Sequence, residues 1–399
     1  MTKPSPSILT INSGSSSLKF ALFLVKDSFI SSLLYYGQVT NIGDTSELLI
    51  RDHDKSVYQQ AVSIKDHKQA LHCVVNWLEQ NNPTTDIIAV GHRIVHGGLL
   101  FDKPILISES ILEKLESLFP LAPNHQPANV LAIKLISERY PSLPQIACFD
   151  TAFHTTQPDV EHYFSLPPTK SLKAVRRYGF HGLSYEYIAQ VLPDYLDTKA
   201  DGKIIVAHLG YGASLCAIEN RRSVATTMTF TPVDGIPMGS RCGSLDPAVV
   251  LYLIEQQGMT TKQISDLLYF QSGLLGVSGI SGDIQTLLKE PSPKAQFAIE
   301  QFIHHTVRAI GSLAAALGGL DALVFTGGIG EHAVSIRSAI AAKCHWLGLI
   351  LDDDANTQGK SCISDKDSPI SAWVIQTNEE YMIAQHTLTI MNNKNGSKV

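Results

Sequence analysis

Cysteines are few in this sequence, and none has the spacing of a metal site. The six cysteines among 399 residues form no CxxC pair and lie scattered through apolar segments. This pattern is typical of buried free thiols and not of a disulfide framework. It argues against a disulfide-rich secreted fold and favours a reducing compartment, so a cytoplasmic location is expected.

Long hydrophobic runs and an excess of positive charge are also missing. No apolar run reaches the roughly 18 residues that a membrane span needs, and the first residues lack the apolar core of a signal peptide. Lysine and arginine total 31 against 37 aspartates and glutamates, which gives a formal charge of −6. A mildly acidic chain without a Lys/Arg cluster is not expected to bind nucleic acid. The composition therefore predicts neither a membrane nor a nucleic-acid partner.

Apolar runs alternate with amphipathic helical patterns along the chain. "TTDIIAV", "PQIACF" and "DALVFT" are typical of buried strands, whereas "ESILEKLES" and "PKAQFAIEQFIHHTVRAIGSLAAAL" have helical spacing. The first of these strands is expected to end near Val90, before a loop that carries Arg93. Such alternation predicts an α/β fold, and a chain of this length is expected to form two domains.

Small residues interrupt the apolar pattern twice in the same way. In "ILTINSGSSSLKFALFLV", Asn12 precedes Gly14 by two positions, and in "GKIIVAHLGYGASLCAIE", His208 precedes Gly210 by two. Glycines let backbone N–H groups approach a phosphate, hydroxyls donate to its oxygens, and Lys19 adds a charge. A serine-rich surface turn is the alternative for the first stretch alone. Two such units about half a chain apart suggest an internally duplicated fold.

A third glycine turn lies late in the chain. "FTGGIGE", residues 325–331, follows a predicted strand and precedes a predicted helix. Backbone N–H groups at the start of a helix favour an anion, although glycine is also common in such turns for steric reasons.

Two arginines lie in glycine-rich stretches that contain few other charges. A guanidinium fork matches the oxygens of carboxylates and phosphoryl groups. Phosphoryl transfer requires charge neutralisation, in-line positioning and a divalent ion, with little covalent work by the protein. Arg93 and Arg241 are therefore candidate cations for such a reaction, and a surface salt bridge is the alternative for each.

Nine short motifs make a resemblance to a known family specific. The motifs are "INSGSSSLKF", "GHRIVHGG", "FDTAFH", "RRYGFHGLS", "HLGYGAS", "GSRCGSLDP", "GVSGISGD", "FTGGIGE" and "TNEE", and they span nearly the whole chain. In their order and spacing they resemble the acetate kinase family, which belongs to the acetate and sugar kinase/Hsp70/actin superfamily.

The resemblance implies an α/β, two-domain duplicated actin-like ATPase fold. Residues 1–152 would form the N-terminal domain, on which the segment 387–399 packs back. Residues 153–386 would form the C-terminal domain, with the nucleotide site and a homodimer interface.

The activity that the resemblance implies is the reversible, ATP-dependent phosphorylation of acetate to acetyl phosphate by direct in-line transfer. ATP/ADP would be the co-substrate and Mg²⁺ the metal, with Mn²⁺ as a substitute. A propionate kinase of the same family shares nearly all the motifs and is the main alternative. A kinase acting on a hydroxyl group, or a non-catalytic or chaperone-type nucleotide-binding module, is more distant. Such a module gives no reason for both arginines and His181 to accompany a small apolar pocket.

The resemblance also assigns roles to residues of this sequence. The catalytic residues would be Arg93, Asp150, His181 and Arg241, and the substrate-binding residues Arg93, Val95, Phe180 and Pro232. The metal ligands would be Asn12 and Glu379, and Glu380 is the neighbour that could be confused with Glu379. The nucleotide would contact Lys19, His208, Leu209, Gly210, Tyr211, Gly212, Asp283, Ile284, Gln285, Gly328, Ile329, Gly330, Glu331 and His332.

Asp150 is not expected to act as a base. Carboxylic acids have pKa values of about 4, so a carboxylate substrate is already ionised at pH 7, and a base has no proton to remove. Asp150 is instead predicted to position the Mg²⁺ shell or the cations of the site, and a cap at a strand end is its structural alternative.

The sequence departs from the family pattern at four positions. Asn124 stands where the family usually has a leucine that lines the acyl pocket, Tyr211 and His332 replace usual asparagines, and Ser244 replaces a frequent aspartate. Asn124 is expected to hydrogen-bond within its own loop, so that Val95 and its partners define a pocket for acetate.

Overall fold

The computed structural model of the chain describes residues 4–14, 17–43, 45–52, 55–82 and 85–396. Ser15 and Ser16 of the first small-residue turn lie outside the described residues, as do the last three residues of the segment 387–399. Among the described residues, no helix is long and apolar enough to cross a membrane.

The strands and helices alternate as an α/β fold requires. The strands are β1 (Ser5–Ser13), β2 (Leu18–Lys26), β3 (Phe29–Thr40), β4 (Ser46–Asp52), β5 (Lys55–Val62), β6 (Thr85–Ile94), β7 (Ile105–Leu106), β8 (Gln145–Phe149), β9 (Ile204–Leu209), β10 (Ala213–Glu219), β11 (Arg222–Thr226), β12 (Ala322–Thr326) and β13 (Ser371–Val374). The helices are α1 (His67–Asn81), α2 (Glu109–Ser117), α3 (Gln126–Arg139), α4 (Asp159–His162), α5 (Gly182–Leu196), α6 (Pro247–Glu255), α7 (Thr261–Phe270), α8 (Gly273–Ser278), α9 (Ile284–Lys289), α10 (Pro293–Leu317), α11 (Gly327–His332), α12 (Val334–Lys343), α13 (Asp353–Thr357) and α14 (Glu379–Gly396).

The chain divides into two compact units. Unit 1 comprises Met1–Ala152 and Asn378–Val399, and unit 2 comprises Phe153–Thr377. The chain thus returns to unit 1 at Asn378, earlier than the boundary at 386/387 that the sequence suggests. The reason is that α14 is one continuous helix from Glu379 onwards, and it packs on β1 and β6 of unit 1.

The strands of unit 1 form one sheet in the order β5-β4-β3-β2-β1-β6-β8-β7. β1 pairs with β2 in antiparallel and with β6 in parallel orientation, and β6 pairs in parallel with β8. β6 extends to Ile94, so Arg93 lies in the strand and not in a loop after Val90. The sequence-based strand was too short because "GHR" is not apolar, yet β6 pairs with β1 as far as His92 and with β8 as far as Ile94.

Residues of β1 alternate between two buried faces of this sheet. Leu9 and Ile11 pack in one core cluster with residues of α1 and α3, such as Leu71. Ile8 points to the opposite face and packs with α14, against Leu388. Since successive side chains of a strand point to opposite faces, both faces of β1 are buried by helices.

The strands of unit 2 form a second sheet in the order β11-β10-β9-β12-β13. β9 pairs with β10 in antiparallel and with β12 in parallel orientation. The long helix α10 follows its sequence signals, since the Ser292 side chain caps its start, Pro293 opens it and Gly318, at φ 67°, ends it.

The two sheets share one arrangement of strands. In unit 1 the series β3-β2-β1-β6-β8 runs through two antiparallel and then two parallel pairings, and β11-β10-β9-β12-β13 of unit 2 does the same. The predicted α/β class and its internal duplication are confirmed. The two small-residue turns occupy equivalent places, between β1 and β2 and between β9 and β10.

Gly91→Ala is expected to destabilise unit 1, because α14 contacts β6 at this residue. A Cβ at Gly91 would lie 2.5 Å from Cγ2 of Ile383 and would also collide with Oγ1 of Thr387. Overpacking of this kind costs about 1–3 kcal/mol, so thermal unfolding followed by circular dichroism should show a lower Tm. The control is Gly311→Ala in α10, whose Cβ would lie 3.5 Å from Trp346 and which should keep or raise the Tm. An unchanged Tm for Gly91→Ala would contradict this packing.

Candidate active site

The carboxyl ends of three parallel strands bring the predicted residues of unit 1 together. Asn12 lies near the end of β1, Arg93 lies near the end of β6, and Asp150 directly follows β8. Open α/β sheets bind ligands at this edge. α14 begins at the same place, since Nδ2 of Asn12 donates to Oε2 of Glu379 over 3.4 Å.

Arg93 is held by a buried carboxylate. Its Nε donates to Oδ2 of Asp150 over 3.0 Å, and its Nη2 donates to the same oxygen over 2.5 Å. Its Nη1 donates to Oδ1 of Asn12 over 3.2 Å. The side chain of Asp150 is 1% exposed and that of Arg93 is 15% exposed. The guanidinium is therefore fixed in one orientation while part of its surface stays open.

The charged groups at this edge influence one another. Burial lowers the pKa of Arg93, but Asp150 and other carboxylates raise it by more, so that the pKa lies above its usual range. Desolvation lowers the pKa of Lys19, whereas Glu380 raises it, and the net shift is upward; the side chain keeps contact with solvent. Burial raises the pKa of Glu380 although the nearby Lys19 lowers it. Both cations therefore stay charged at physiological pH.

Two oxygen-bearing side chains at this edge fit a magnesium ion. Among the described residues, no group of three or more His, Cys, Asp or Glu side chains is placed to hold a metal. Asn12 and Glu379 are in contact and supply an amide and a carboxylate. Mg²⁺ keeps several waters and takes one or two protein carboxylates together with substrate phosphates. The pair therefore suits an ion held mainly by phosphate and water.

Val95 and Asn124 are two residues of unit 1 that the family resemblance associates with an acyl pocket. Val95 follows β6, is buried, and donates its N–H to Oδ1 of Asn129 over 3.0 Å. Asn124 lies half-buried in the turn before α3, and it makes no hydrogen bond to any other residue in the part of the chain that the structure describes. The expectation that it bonds within its own loop is therefore wrong, and the half-exposed side chain can instead be solvated by water.

Two imidazoles stack where β9 ends and α5 begins. His181 has φ 57°, in the left-handed region that residues other than glycine rarely adopt. The centroids of the His181 and His208 rings are 4.4 Å apart, and the ring planes are inclined by 28°. Ser214 Oγ lies 2.9 Å from Nδ1 of His181, and Ser184 Oγ lies 2.8 Å from Nδ1 of His208. The two hydroxyls orient the rings.

Arg241 lies beside these rings. Its Nη1 donates to the carbonyl of Pro232 over 3.1 Å. A Cβ at Gly212 would lie 3.5 Å from Nε2 of His181 and 3.6 Å from Nη1 of Arg241. The second glycine turn, an imidazole and a guanidinium thus converge in unit 2. Phe180, a further substrate candidate, is only 1% exposed and offers little surface to a ligand.

The third glycine turn is helical from its first glycine. A Cβ built at Gly328 would have no atom within 4 Å. The second and third glycine turns lie close together, since a Cβ built at Gly210 would lie 4.0 Å from the N atom of Gly328. Oε1 of Glu331 accepts hydrogen bonds from the N–H of Gly327 over 2.9 Å and of Thr377 over 3.2 Å. Glu331 therefore stabilises the turn, a role that the sequence did not indicate.

The other nucleotide candidates of unit 2 differ in their exposure. Leu209, Ile284, Ile329 and Gly330 are buried, while Gln285 and His332 are exposed.

Asp283 and Tyr211 have structural contacts of their own. Asp283 caps α9 and accepts from N and Oγ1 of Thr286, over 3.0 and 2.7 Å. Burial raises the pKa of Asp283, but these bonds lower it by more. The ring of Tyr211 packs on Gly239, where an added Cβ would lie 2.7 Å from the ring. The hydroxyl of Tyr211 packs on Gly282, where an added Cβ would lie 3.0 Å from the hydroxyl oxygen. Tyr211 thus brings the second glycine turn next to the Asp283 segment.

Sequence reasoning missed the polar residues that orient the site. Ser184 and Ser214 end the motifs "RRYGFHGLS" and "HLGYGAS", and this position was the available signal. Asn129 lies within the helical stretch "PANV", outside every motif, so that nothing in the sequence marked it.

Comparison with known proteins gives the family. Residues 7–385 match the Acetokinase family. The acetate kinase of Rhodopseudomonas palustris is 51% identical over 95% of this chain and 97% of its own length, and that of Nitrobacter hamburgensis is 44% identical over 98% of both. The crystal structure of a propionate kinase from Francisella tularensis has a TM-score of 0.89 and 37% identity and covers 96% of this chain and 99% of its own. The acetate kinase structure from Porphyromonas gingivalis has a TM-score of 0.84 and 34% identity, with coverage of 97% and 100%. The chain belongs to the acetokinase family.

Proposed function

We propose that this chain is an acetate kinase, which transfers a phosphoryl group reversibly between ATP and acetate to give acetyl phosphate and ADP. The observation that carries the proposal is that each unit places one fixed arginine beside a glycine turn, Arg93 in unit 1 and Arg241 in unit 2. Two cations and phosphate-binding turns are what an in-line transfer to a carboxylate needs. The identity of 51% to an acetate kinase supports acetate as the acceptor.

The two arginines would neutralise the transferring group and bind the acyl carboxylate. Asp150 orients Arg93 in this scheme, and its ion pair with that residue supports a positioning role rather than proton transfer. We assign the proton of His181 to Nε2, so that Nδ1 would accept from Ser214 Oγ at 2.9 Å and Nε2 would donate to a phosphoryl oxygen. Such preorganised donors stabilise charge that develops in the transition state.

Mg²⁺, with Mn²⁺ as a substitute, is the proposed metal, and Asn12 and Glu379 would hold it. When bound, the ion would offset phosphate charge. ATP or ADP would contact Lys19, the backbone of 208–212 and 328–332, and the segment 283–285. Six free cysteines are in keeping with a cytoplasmic location.

Propionate is the second candidate substrate, because the chain resembles a propionate kinase structure with a TM-score of 0.89. Hydroxamate formation with ATP should show a higher kcat/KM for acetate than for propionate or butyrate, since one methylene in a tight pocket is worth about 1–3 kcal/mol.

Asn124→Leu should lower the KM for acetate or leave it within a few-fold, and acetate should stay preferred. Wild-type preference for propionate would show that the substrate is misassigned.

Replacing an arginine should abolish most turnover. We expect Arg241→Ala to lower kcat on the order of 10²–10⁴-fold, because it removes charge stabilisation of the transferring group. For Arg93, Arg93→Ala combined with Asp150→Asn avoids a stranded buried charge and should show a similar loss. The control is Arg139→Ala, whose ion pair with Glu79 is on the surface and whose loss should leave kcat unchanged. Near-normal turnover by a folded Arg241→Ala protein would refute this role.

We further propose a homodimer that forms through unit 2. Helix α6 has no buried residue, and Leu251 and Tyr252 on it are 56% and 54% exposed. Neighbouring apolar side chains that are exposed together mark interaction sites. Light scattering should give about twice the chain mass of 43.5 kDa, and Leu251→Glu with Tyr252→Glu should yield a monomer. Phe29→Glu, at a residue of unit 1 that is 72% exposed, should remain dimeric. A wild-type protein that runs only as a monomer would contradict the proposal.

A further inference from the structure

The strands β1 and β6 stop pairing just before the residues that the site uses. Their parallel register ends with Ile11 opposite His92. Two residues further on, the same register would place Ser13 opposite Ile94 and bring the carbonyl of Ser13 towards the N–H of Val95. In the structure both of these backbone groups bond to a single side chain instead.

Asn129 of α3 supplies that side chain. Its Nδ2 donates to the carbonyl of Ser13 over 2.7 Å, and its Oδ1 accepts from the N–H of Val95 over 3.0 Å. Asn129 is 1% exposed. A carboxamide has the donor and acceptor groups of a peptide unit. It therefore satisfies the hydrogen bonds of both backbone groups, and it keeps the ends of the two strands apart by the width of the inserted carboxamide.

The opening created in this way is where two site residues meet. Asn12 directly precedes Ser13, and Arg93 lies two residues before Val95. Nη1 of Arg93 donates to Oδ1 of Asn12 over 3.2 Å. Any change in the separation of the strand ends therefore alters the distance between these two side chains.

We propose that Asn129 is a positioning residue of the reaction. Its carboxamide sets the separation of the carboxyl ends of β1 and β6 and, through it, the placement of Arg93 against Asn12. The inference rests on the proposed acetate kinase function and extends it to a residue outside all nine motifs. A purely structural asparagine would contribute stability but would leave the kinetic constants unchanged, and this difference makes the role measurable.

The test compares Asn129→Ser with Ile133→Val, a substitution in the same helix at a residue that is 0% exposed. Serine is short enough for water to enter, so we expect the variant to fold with a lower Tm. Its kcat should fall about 10–100-fold and its KM for acetate should rise, since small misplacements of catalytic groups have effects of this size. The KM for ATP should change less than threefold. Ile133→Val should lower the Tm but keep wild-type kinetics. Wild-type kcat and KM values for Asn129→Ser would overturn the proposal.

The variant His67→Ala distinguishes two effects of Asn129→Ser, a changed distance between the ends of β1 and β6 and a loosened turn after β1. Nε2 of His67 lies 2.7 Å from the carbonyl of Gly14, in the same turn, but His67 has no hydrogen bond to β6 among the described residues. We expect its kcat to stay within about threefold of the wild type. A loss as large as that of Asn129→Ser would mean that the turn alone is responsible, which would overturn the inference.

A double-mutant cycle with Arg93→Lys tests the proposed route of the effect. If Asn129 acts through Arg93, Asn129→Ser should lower kcat much less in the Arg93→Lys background than in the wild type. A fully additive loss would show that Asn129 does not act through Arg93.

Hydrogen exchange gives a readout that needs no activity. The amide of Val95 should exchange faster in Asn129→Ser than in Ile133→Val, because only the former loses its acceptor. If the wild type forms no acyl phosphate while exchange at Val95 responds as expected, the proposed function fails and the bridge stands. If the wild type is active and neither exchange nor kcat responds to Asn129→Ser, the bridge fails and the proposed function stands.

Discussion

The parallel pairing of β1, β6 and β8 is the constraint on which the site of unit 1 depends. Parallel strands end at the same edge of a sheet, so residues far apart in the chain, Asn12, Arg93 and Asp150, meet there without any loop of their own. Helices cover both faces of β1, which fixes the strand and leaves its end as the place where polar side chains can gather. The same pairing recurs in β9 and β12 of unit 2.

The ion pair of Arg93 with Asp150 links this scaffold to the chemistry. Breaking a buried ion pair by removing one partner costs about 3–5 kcal/mol, because the remaining charge is left uncompensated. Asp150, at 1% exposure, therefore needs the guanidinium as much as the guanidinium needs an orienting group. This mutual requirement explains an aspartate at the end of β8 without assigning it a proton to remove. It also means that loss of activity on replacing Asp150 is not evidence for base catalysis.

The fold class could be predicted from the sequence, because periodicity and turn residues report local requirements, and the resemblance of the nine motifs pointed to Asn12, Arg93 and Asp150, which unit 1 brings together. Spacing did not show that β6 reaches Ile94, since the residues before Ile94 are not apolar and the end of the strand is held by pairing with β8. Nor could it show that Glu331 binds the N–H of Gly327 or that Asn129 joins two strands. These roles depend on which backbone groups tertiary structure leaves unpaired, and such groups leave no pattern in the sequence.

Glu331 and Asp150 illustrate how each unit can keep a carboxylate close to its candidate anion-binding residues. A free carboxylate beside a phosphoryl group would repel it, and the repulsion grows as water is excluded. Glu331 turns its Oε1 to two backbone N–H groups, and Asp150 turns its Oδ2 to Arg93. In each case the negative charge is directed to donors within the protein, where it orders a guanidinium or a glycine turn. The carboxylates that remain at the edge of unit 1 follow the same rule, since Glu379 accepts from Nδ2 of Asn12 and Glu380 lies near Lys19.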